Sequence, residues 1–135
     1  MEQYDKITLS KLRLARTQEF LGAAIDAADS GQYLTSANRA YYAVYTAVRA
    51  LLILEHNEMT KHMGNISEFR KHYIKTGIFK KEFSGYVGSL FEIRNYSDYD
   101  PMFIISKDKV LLEYAKEIVS DIKDYLTALY DRLER

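Results

Sequence analysis

Apolar residues recur at intervals of three and four along almost the whole chain, and no stretch shows sustained two-residue alternation. This spacing places apolar side chains on one face of an α-helix, whereas a half-buried strand needs alternation. Only one proline and six glycines interrupt the pattern. The sequence therefore predicts an all-α protein, an antiparallel bundle of four long helices with one short helix inserted. We expect residues 1–135 to form a single helical domain.

The first two helices are delimited by capping residues and by a glycine. Helix one is expected to begin near Thr8 or Ser10, because either side chain can accept a hydrogen bond from a free backbone amide. Gly31 is expected to end it, since glycine adopts the left-handed conformation without strain. Helix two is predicted over residues 32–56. Its apolar stripe contains Leu34, Ala37, Tyr41, Val44, Tyr45, Val48, Leu51 and Leu52.

A short third helix is predicted over residues 65–76. Asn65 and Glu68 have the spacing of a capping box, in which a polar side chain and an acidic one three positions later satisfy backbone amides at the helix start. Gly77 follows and is expected to end the helix.

The last two helices are separated by the only proline. Helix four is predicted over residues 80–97, and helix five from about Ser106 onwards. Pro101 disfavours helical geometry at Asp100, so the helical pattern is expected to stop between them.

One charged residue falls on the apolar face of the fourth helix. On a helical wheel Arg94 lies between Val87 and Leu90. A charge at a core position costs free energy unless a partner neutralises it. Three partners remain open: an acid inside the bundle, solvent at the bundle edge, or the phosphate of a ligand.

Composition and charge restrict the class of protein. The chain is 47% hydrophobic and 28% charged, as in soluble globular proteins, and it has no cysteine for disulfides or thiolate metal sites. Since no apolar run is long enough for a membrane span and no secretory signal is visible, we expect a cytoplasmic protein. The net charge is zero, but residues 61–82 carry +4 and residues 98–135 carry −3. The basic segment is either a polyanion-facing surface or an ordinary solvated helix face.

Known site motifs are absent from the sequence. There is no glycine-rich phosphate loop, no histidine pair at helical spacing and no Glu-x-x-His motif, so we expect neither a metal nor a cofactor. Among the twelve tyrosines, Tyr42, Tyr96 and Tyr99 fall off the apolar stripes or at a helix end. Such rings either stack on nucleic-acid bases or pack at a helix or subunit surface.

Three segments, in the right order, resemble the HEPN-domain family. SANRAYYAVYTAVRALL (36–52) resembles the second HEPN helix, and KHMGNISEFRKHYIKTGIF (61–79) resembles the loop and short helix that follow it in one branch. RNYSDYD (94–100) resembles the arginine-polar signature near the end of the fourth helix. The resemblance implies a helical bundle that forms homodimers. Many members are metal-independent endoribonucleases, often toxins encoded beside a minimal nucleotidyltransferase antitoxin.

The resemblance also implies site residues. Arg94 matches the signature arginine and Asn95 its polar neighbour, but Tyr99 and Asp100 stand where the family has a histidine. The predicted catalytic set is therefore Arg94, Asn95, Asp98 and Tyr99. Arg94 would stabilise phosphorane charge, Asp98 would act as the base if burial raised its pKa, and Tyr99 would act as an acid.

Further residues are candidates for ligand contact and modification. Lys61, His62, Arg39 and Tyr42 are the predicted RNA or nucleotide contacts. In some relatives a tyrosine near the signature is modified with AMP by the partner, a role that would fall to Tyr96 or Tyr99. Three hypotheses stay open: a HEPN toxin-like ribonuclease, a non-catalytic module that binds a nucleotide or a nucleotidyltransferase, and a purely structural domain in which Arg94 and Asp98 pair.

Overall fold

The computed structural model describes residues 1–56, 58–94 and 101–135; within these ranges the side chains of Arg94, Pro101 and residues 103–106 are not described. The described residues form five helices and no strand, so the predicted all-α bundle with one short helix is confirmed. The helices are α1 (Gln3–Asp29), α2 (Tyr33–Glu55), α3 (His62–Phe69), α4 (Glu82–Arg94) and α5 (Pro101–Leu133), and a π-helical turn (Arg70–Ile74) follows α3 directly.

α2 lies at the centre of the bundle and packs against α1, α4 and α5. Its predicted stripe is buried except for Leu34, which is 36% exposed. The alanines of α2 let the neighbouring helices approach closely because they add little side-chain volume. Ala37, Ala40, Ala43, Ala47 and Ala50 have no exposed surface at all.

α1 ends where the sequence predicts but begins earlier. Gly31 has φ +78°, and the backbone amide of Gln32 donates to the Ala27 carbonyl at 2.8 Å, which closes the helix. The predicted start near Thr8 or Ser10 is wrong, since the helix begins at Gln3. The Ser10 hydroxyl is buried and bonds the Ala50 carbonyl and the Tyr130 hydroxyl, each at 2.7 Å. Ser10 therefore joins three helices instead of capping one.

The predicted capping box of the third helix is also wrong. α3 begins at His62, and Asn65 lies inside it with 1% of its surface exposed. The side-chain amide of Asn65 forms hydrogen bonds with the backbone of Met59 in the preceding loop and does not cap the helix. Glu68 instead contacts His72 one turn later, at 2.8 Å. The predicted end is nearly correct: the π-helical turn stops at Ile74, and Gly77 follows with φ +81°.

α5 begins at Pro101, five residues before the predicted start at Ser106. Proline suits the first position of a helix, because the amide it lacks would have no intrahelical partner there. The sequence interpretation used Pro101 only as a break. The predicted fourth helix is confirmed from Glu82 to Arg94.

None of the described helices combines the length and the apolar character needed to cross a membrane.

Candidate functional site

Most of the predicted catalytic set lies outside the described residues. This holds for Asn95, Asp98 and Tyr99, and also for Tyr96, the other candidate for modification. Arg94 is the last residue of α4, and only its backbone is described. Their predicted roles therefore stay predictions.

The surroundings of the α4 C-terminus are described. Phe91, three residues before Arg94, packs edge-on against Tyr41 of α2, with ring centroids 6.0 Å apart. Ile93 is buried in the core. The end of α4 thus lies beside the middle of α2, where Tyr41 is 2% exposed.

His62 also contacts Tyr41. Its Nδ1 atom and the Tyr41 hydroxyl share a hydrogen bond of 2.7 Å. The imidazole stacks on Tyr45 at 3.9 Å with 9° between the ring planes, and Tyr42 meets it edge-on at 6.2 Å. Because a tyrosine hydroxyl can donate or accept, this bond engages Nδ1 in either tautomer of the ring. Two of the predicted ligand contacts, His62 and Tyr42, are therefore brought together.

Asn65 and Gly64 hold the loop that precedes His62. The Asn65 side chain accepts from the Met59 amide at 2.7 Å and donates to the Met59 carbonyl at 3.1 Å and to the Tyr45 hydroxyl at 2.8 Å. A Cβ on Gly64 would lie 3.0 Å from the Met59 Cβ, so glycine permits this close approach. The loop is thus fixed against both α2 and α3.

Glu58 in the same loop pairs with two arginines from different helices. Its carboxylate lies 2.9 Å from Nη1 of Arg13 in α1 and 2.5 Å from Nε of Arg49 in α2. Arg13 also donates to the Arg49 carbonyl at 3.3 Å. The side chains of Arg13 and Glu58 are only 14% and 18% exposed, so this pair is shielded from solvent more than a surface ion pair is.

Aromatic rings and further arginines extend this arrangement along α1 and α2. Arg16 and Arg39 both lie over the Phe20 ring, at 4.9 and 5.9 Å, and Phe20 packs against Tyr42 at 5.8 Å. A cleft of about 380 Å³ runs between α1, α2 and the first residue of α3, and two hollows of about 360 and 400 Å³ share residues with it. We call this surface the arginine–tyrosine groove; its lining includes Arg13, Arg16, Phe20, Arg39, Tyr42, Tyr45, Arg49, Glu58 and His62.

The sequence interpretation found part of the groove. Arg39, Tyr42 and His62 line it, whereas Lys61 is exposed beside His62 and is not among the lining residues. The arginines of α1 and the pairing of Arg49 with Glu58 were missed. The sequence did contain one indication that Arg49 belongs to the groove: Tyr42, Tyr45 and Arg49 are spaced so that they lie on one face of α2.

Asp108 is a buried carboxylate that the sequence interpretation did not single out. It lies on α5 with 3% of its surface exposed, beside Ser36 of α2. Burial raises the pKa of Asp108, and the Ser36 hydroxyl partly opposes this effect. Asp108 is not among the residues that line the arginine–tyrosine groove.

Another cluster of titratable groups joins the end of α2 to the π-helical turn. The rings of His56 and His72 stack at 3.7 Å with 11° between their planes. Burial and then the charge of His72 lower the pKa of His56 below 6.5; Lys71 acts in the same direction, whereas Glu55 and Glu68 oppose it.

This histidine pair should make stability depend on pH. Because the pKa of His56 is lower in the folded chain, the unfolded chain binds the proton more tightly, and stability is lost as the pH falls below 6.5. We expect the melting temperature to drop between pH 7.5 and about 5.5, measured by circular dichroism. The drop should be smaller in His56→Gln; an identical pH dependence in that variant would contradict the assignment.

The described residues contain no cluster of side chains that could form a metal site. No three His, Asp or Glu side chains there lie close enough together to hold a metal ion.

Comparison with known proteins places the chain in a family. The profile of the HEPN domain matches residues 10–125. The chain belongs to the HEPN family, as its sequence predicted. A "Putative toxin" of Methanocaldococcus jannaschii is 30% identical to this HEPN protein over 128 residues, which cover 93% of this chain and 86% of the relative. A second "Putative toxin" of that organism is 25% identical over 118 residues, covering 87% and 81%. A "UPF0332 protein" of Thermotoga maritima is 28% identical over 98 residues, covering 66% and 74%.

Proposed function

We propose that this HEPN protein is a toxin-like, metal-independent endoribonuclease in which His62 supplies the histidine that is missing after Arg94. The names of the two archaeal relatives support the toxin class. The observation that most supports the histidine assignment is the position of Tyr41. Tyr41 bonds His62 and also packs against Phe91, one turn before Arg94.

The proposed chemistry needs three groups. A base removes the proton of a ribose 2′-OH, whose oxygen then forms a bond to the adjacent phosphorus while the bond from phosphorus to O5′ breaks. An acid returns a proton to the leaving oxygen, and a cation stabilises the charge on the phosphorane. The products are a 2′,3′-cyclic phosphate and a 5′-hydroxyl end.

The proposed residues divide these tasks. His62 transfers a proton at Nε2, because its Nδ1 is bonded to Tyr41. Arg94 stabilises the phosphorane, and Asp98 or Tyr99 provides the second proton-transfer group. Asn95 orients the phosphate beside Arg94.

The proposed assembly follows the family. Two protomers form a homodimer whose paired Arg94 signatures face one cleft, and a minimal nucleotidyltransferase serves as the antitoxin. If so, AMP transfer to Tyr96 or Tyr99 by that partner would silence the toxin. Mass spectrometry after co-expression with such a partner tests this, since either tyrosine would gain the mass of an adenylyl group.

The second candidate is a HEPN module that binds a nucleotide without cleaving RNA. The arginine–tyrosine groove favours it, since a cleft of about 380 Å³ with a few charged groups has the size of a small-ligand pocket. Binding of ATP together with a complete lack of RNA cleavage would select this candidate.

The ribonuclease proposal is tested by the cleavage products. In the presence of EDTA the purified protein is expected to cut single-stranded RNA and to leave 2′,3′-cyclic phosphate ends, detected by mass spectrometry. The matched control is the same RNA with 2′-O-methyl groups, which has no 2′-OH to attack and should stay intact. Cleavage that EDTA stops, or cleavage of the 2′-O-methyl RNA, would contradict the mechanism.

A further inference from the structure

Glu58 lines part of the arginine–tyrosine groove and pairs there with two guanidinium groups, those of Arg13 and Arg49. We propose that Arg13 and Arg49 form a phosphate-binding site in which Glu58 is an internal counter-anion that a phosphate group of the ligand replaces. The ligand class is a nucleotide phosphate, either in a single strand of RNA or in a free mononucleotide. The site deepens the proposed function by giving the RNA a binding surface outside the Arg94 signature, but its binding does not depend on cleavage.

The geometry of the pair suits a phosphate. Arg13 and Arg49 come from different helices and meet on one carboxylate, at 2.9 and 2.5 Å. A phosphodiester offers the two guanidinium groups the same single charge and two acceptor oxygens as a carboxylate, and a terminal phosphate of a mononucleotide offers more of both. Each guanidinium has five N–H donors, and Glu58 with the Arg49 carbonyl takes only some of those on Arg13 and Arg49.

Burial explains why an anion is always needed at this position. The Arg13 side chain is only 14% exposed, so its charge without a partner would cost free energy. Glu58 provides that partner in the unliganded protein. A ligand phosphate takes over the same role, and the displaced carboxylate can then be solvated at the groove surface.

The neighbouring rings fit the base of the same ligand. Tyr42 and Phe20 line the cleft next to the arginine pair, and Arg16 lies over Phe20 at 4.9 Å. Aromatic faces beside cations are the usual components of single-strand and nucleotide binding, because every base has a π-face.

Charge is concentrated in the groove although the chain as a whole is neutral. Four arginines and one glutamate are among the described residues that line it, whereas the net charge of the protein is zero. Such a local positive field attracts polyanions. One of the four arginines, Arg16, pairs with the exposed Glu19 at 3.0 Å, whereas the pair of Lys11 with Glu134 involves no residue of the groove lining.

The test uses Glu58→Gln, which removes the charge and keeps the shape. Affinity is measured by fluorescence anisotropy with a short 2′-O-methyl RNA, which binds but cannot be cleaved by 2′-OH attack. We expect the variant to bind this RNA about threefold to tenfold more tightly than the wild type, because the internal competitor is gone. The salt dependence should steepen by about 0.7 for each added phosphate contact. Glu117→Gln is the matched control: it makes the same change in net charge, but Glu117 pairs with Lys80 away from the groove.

The outcomes separate the proposals. If a folded Glu58→Gln variant binds neither RNA nor ATP more tightly than the wild type, the phosphate site is overturned, whatever the cleavage assay shows. A gain for ATP but not for RNA keeps the site and assigns it to a free nucleotide. If Glu58→Gln does not fold, Arg49→Gln is used instead; it should weaken binding about threefold to tenfold compared with Arg135→Gln. Equal affinity of these two variants would also overturn the site.

Discussion

Replacing His62 by glutamine is expected to slow RNA cleavage by about 10²–10⁴-fold, the usual contribution of a group that transfers a proton in the transition state. Glutamine keeps a polar side chain of similar length but cannot exchange a proton near neutral pH. Initial rates with a fluorescent RNA in EDTA measure the effect. The KM should change little, because the groove arginines remain in place.

Two further variants make this result specific. Arg94→Ala should reduce cleavage to background, because the variant lacks the cation that is proposed to stabilise the phosphorane. His72→Gln is the matched histidine control; it lies half-buried against Glu68 and is absent from the groove lining. Its rate should equal that of the wild type. A wild-type rate in His62→Gln, together with loss in Arg94→Ala, would show that another group carries the proton.

The pH profile distinguishes catalysis from a structural role. If His62 transfers a proton, the limb of the kcat profile that reports its titration should disappear in His62→Gln. A general loss of rate with an unchanged profile would instead indicate that the ring only positions Tyr41 or Tyr45.

The bundle could be predicted from the sequence because burial follows a simple period. Apolar residues of α2 recur at three and four positions, and the structure buries the predicted stripe apart from Leu34. The helix ends at Gly31 and Gly77 could also be predicted, since few residue types other than glycine adopt a positive φ without strain. The wrong predictions concern the starts of helices, because a polar residue near a helix start can either cap the helix or form a tertiary contact. Ser10 can cap a helix or bond a distant helix, and only the packing decides between these.

The candidate site was less predictable because its members are distant along the chain. Arg13, Arg49 and Glu58 belong to two helices and a loop, and no local spacing connects them. The resemblance directed attention to Arg94 and its neighbours, and it also included the loop with His62. What it could not give was the contact of His62 with Tyr41 and Tyr45, which depends on how the loop folds back over α2.

Asn65 makes more hydrogen bonds to that loop than any other described side chain, so Asn65→Ala is expected to lower stability strongly. The Asn65 amide makes three hydrogen bonds, two to the Met59 backbone and one to the Tyr45 hydroxyl. Their loss leaves polar groups under the loop without partners, and we expect the free energy of unfolding to fall by about 2–3 kcal/mol. Chemical denaturation with urea measures this change.

A second substitution tests whether the hydrogen bonds or the volume of Asn65 matters. Asn65→Asp keeps the shape but replaces both N–H donors by an oxygen that faces the Met59 carbonyl and the Tyr45 hydroxyl. We expect it to lower the free energy of unfolding by about as much as Asn65→Ala, because the carboxylate is a buried charge that repels the Met59 carbonyl, even though the Tyr45 hydroxyl can donate to it. Asn38→Ala, at a half-buried position on α2, should change stability by less than about 0.5 kcal/mol.

Both Asn65 variants should also slow RNA cleavage, since His62 begins the helix that Asn65 ties to the loop. Full stability in Asn65→Asp would mean that packing alone fixes the loop, and the position of His62 would then need another explanation.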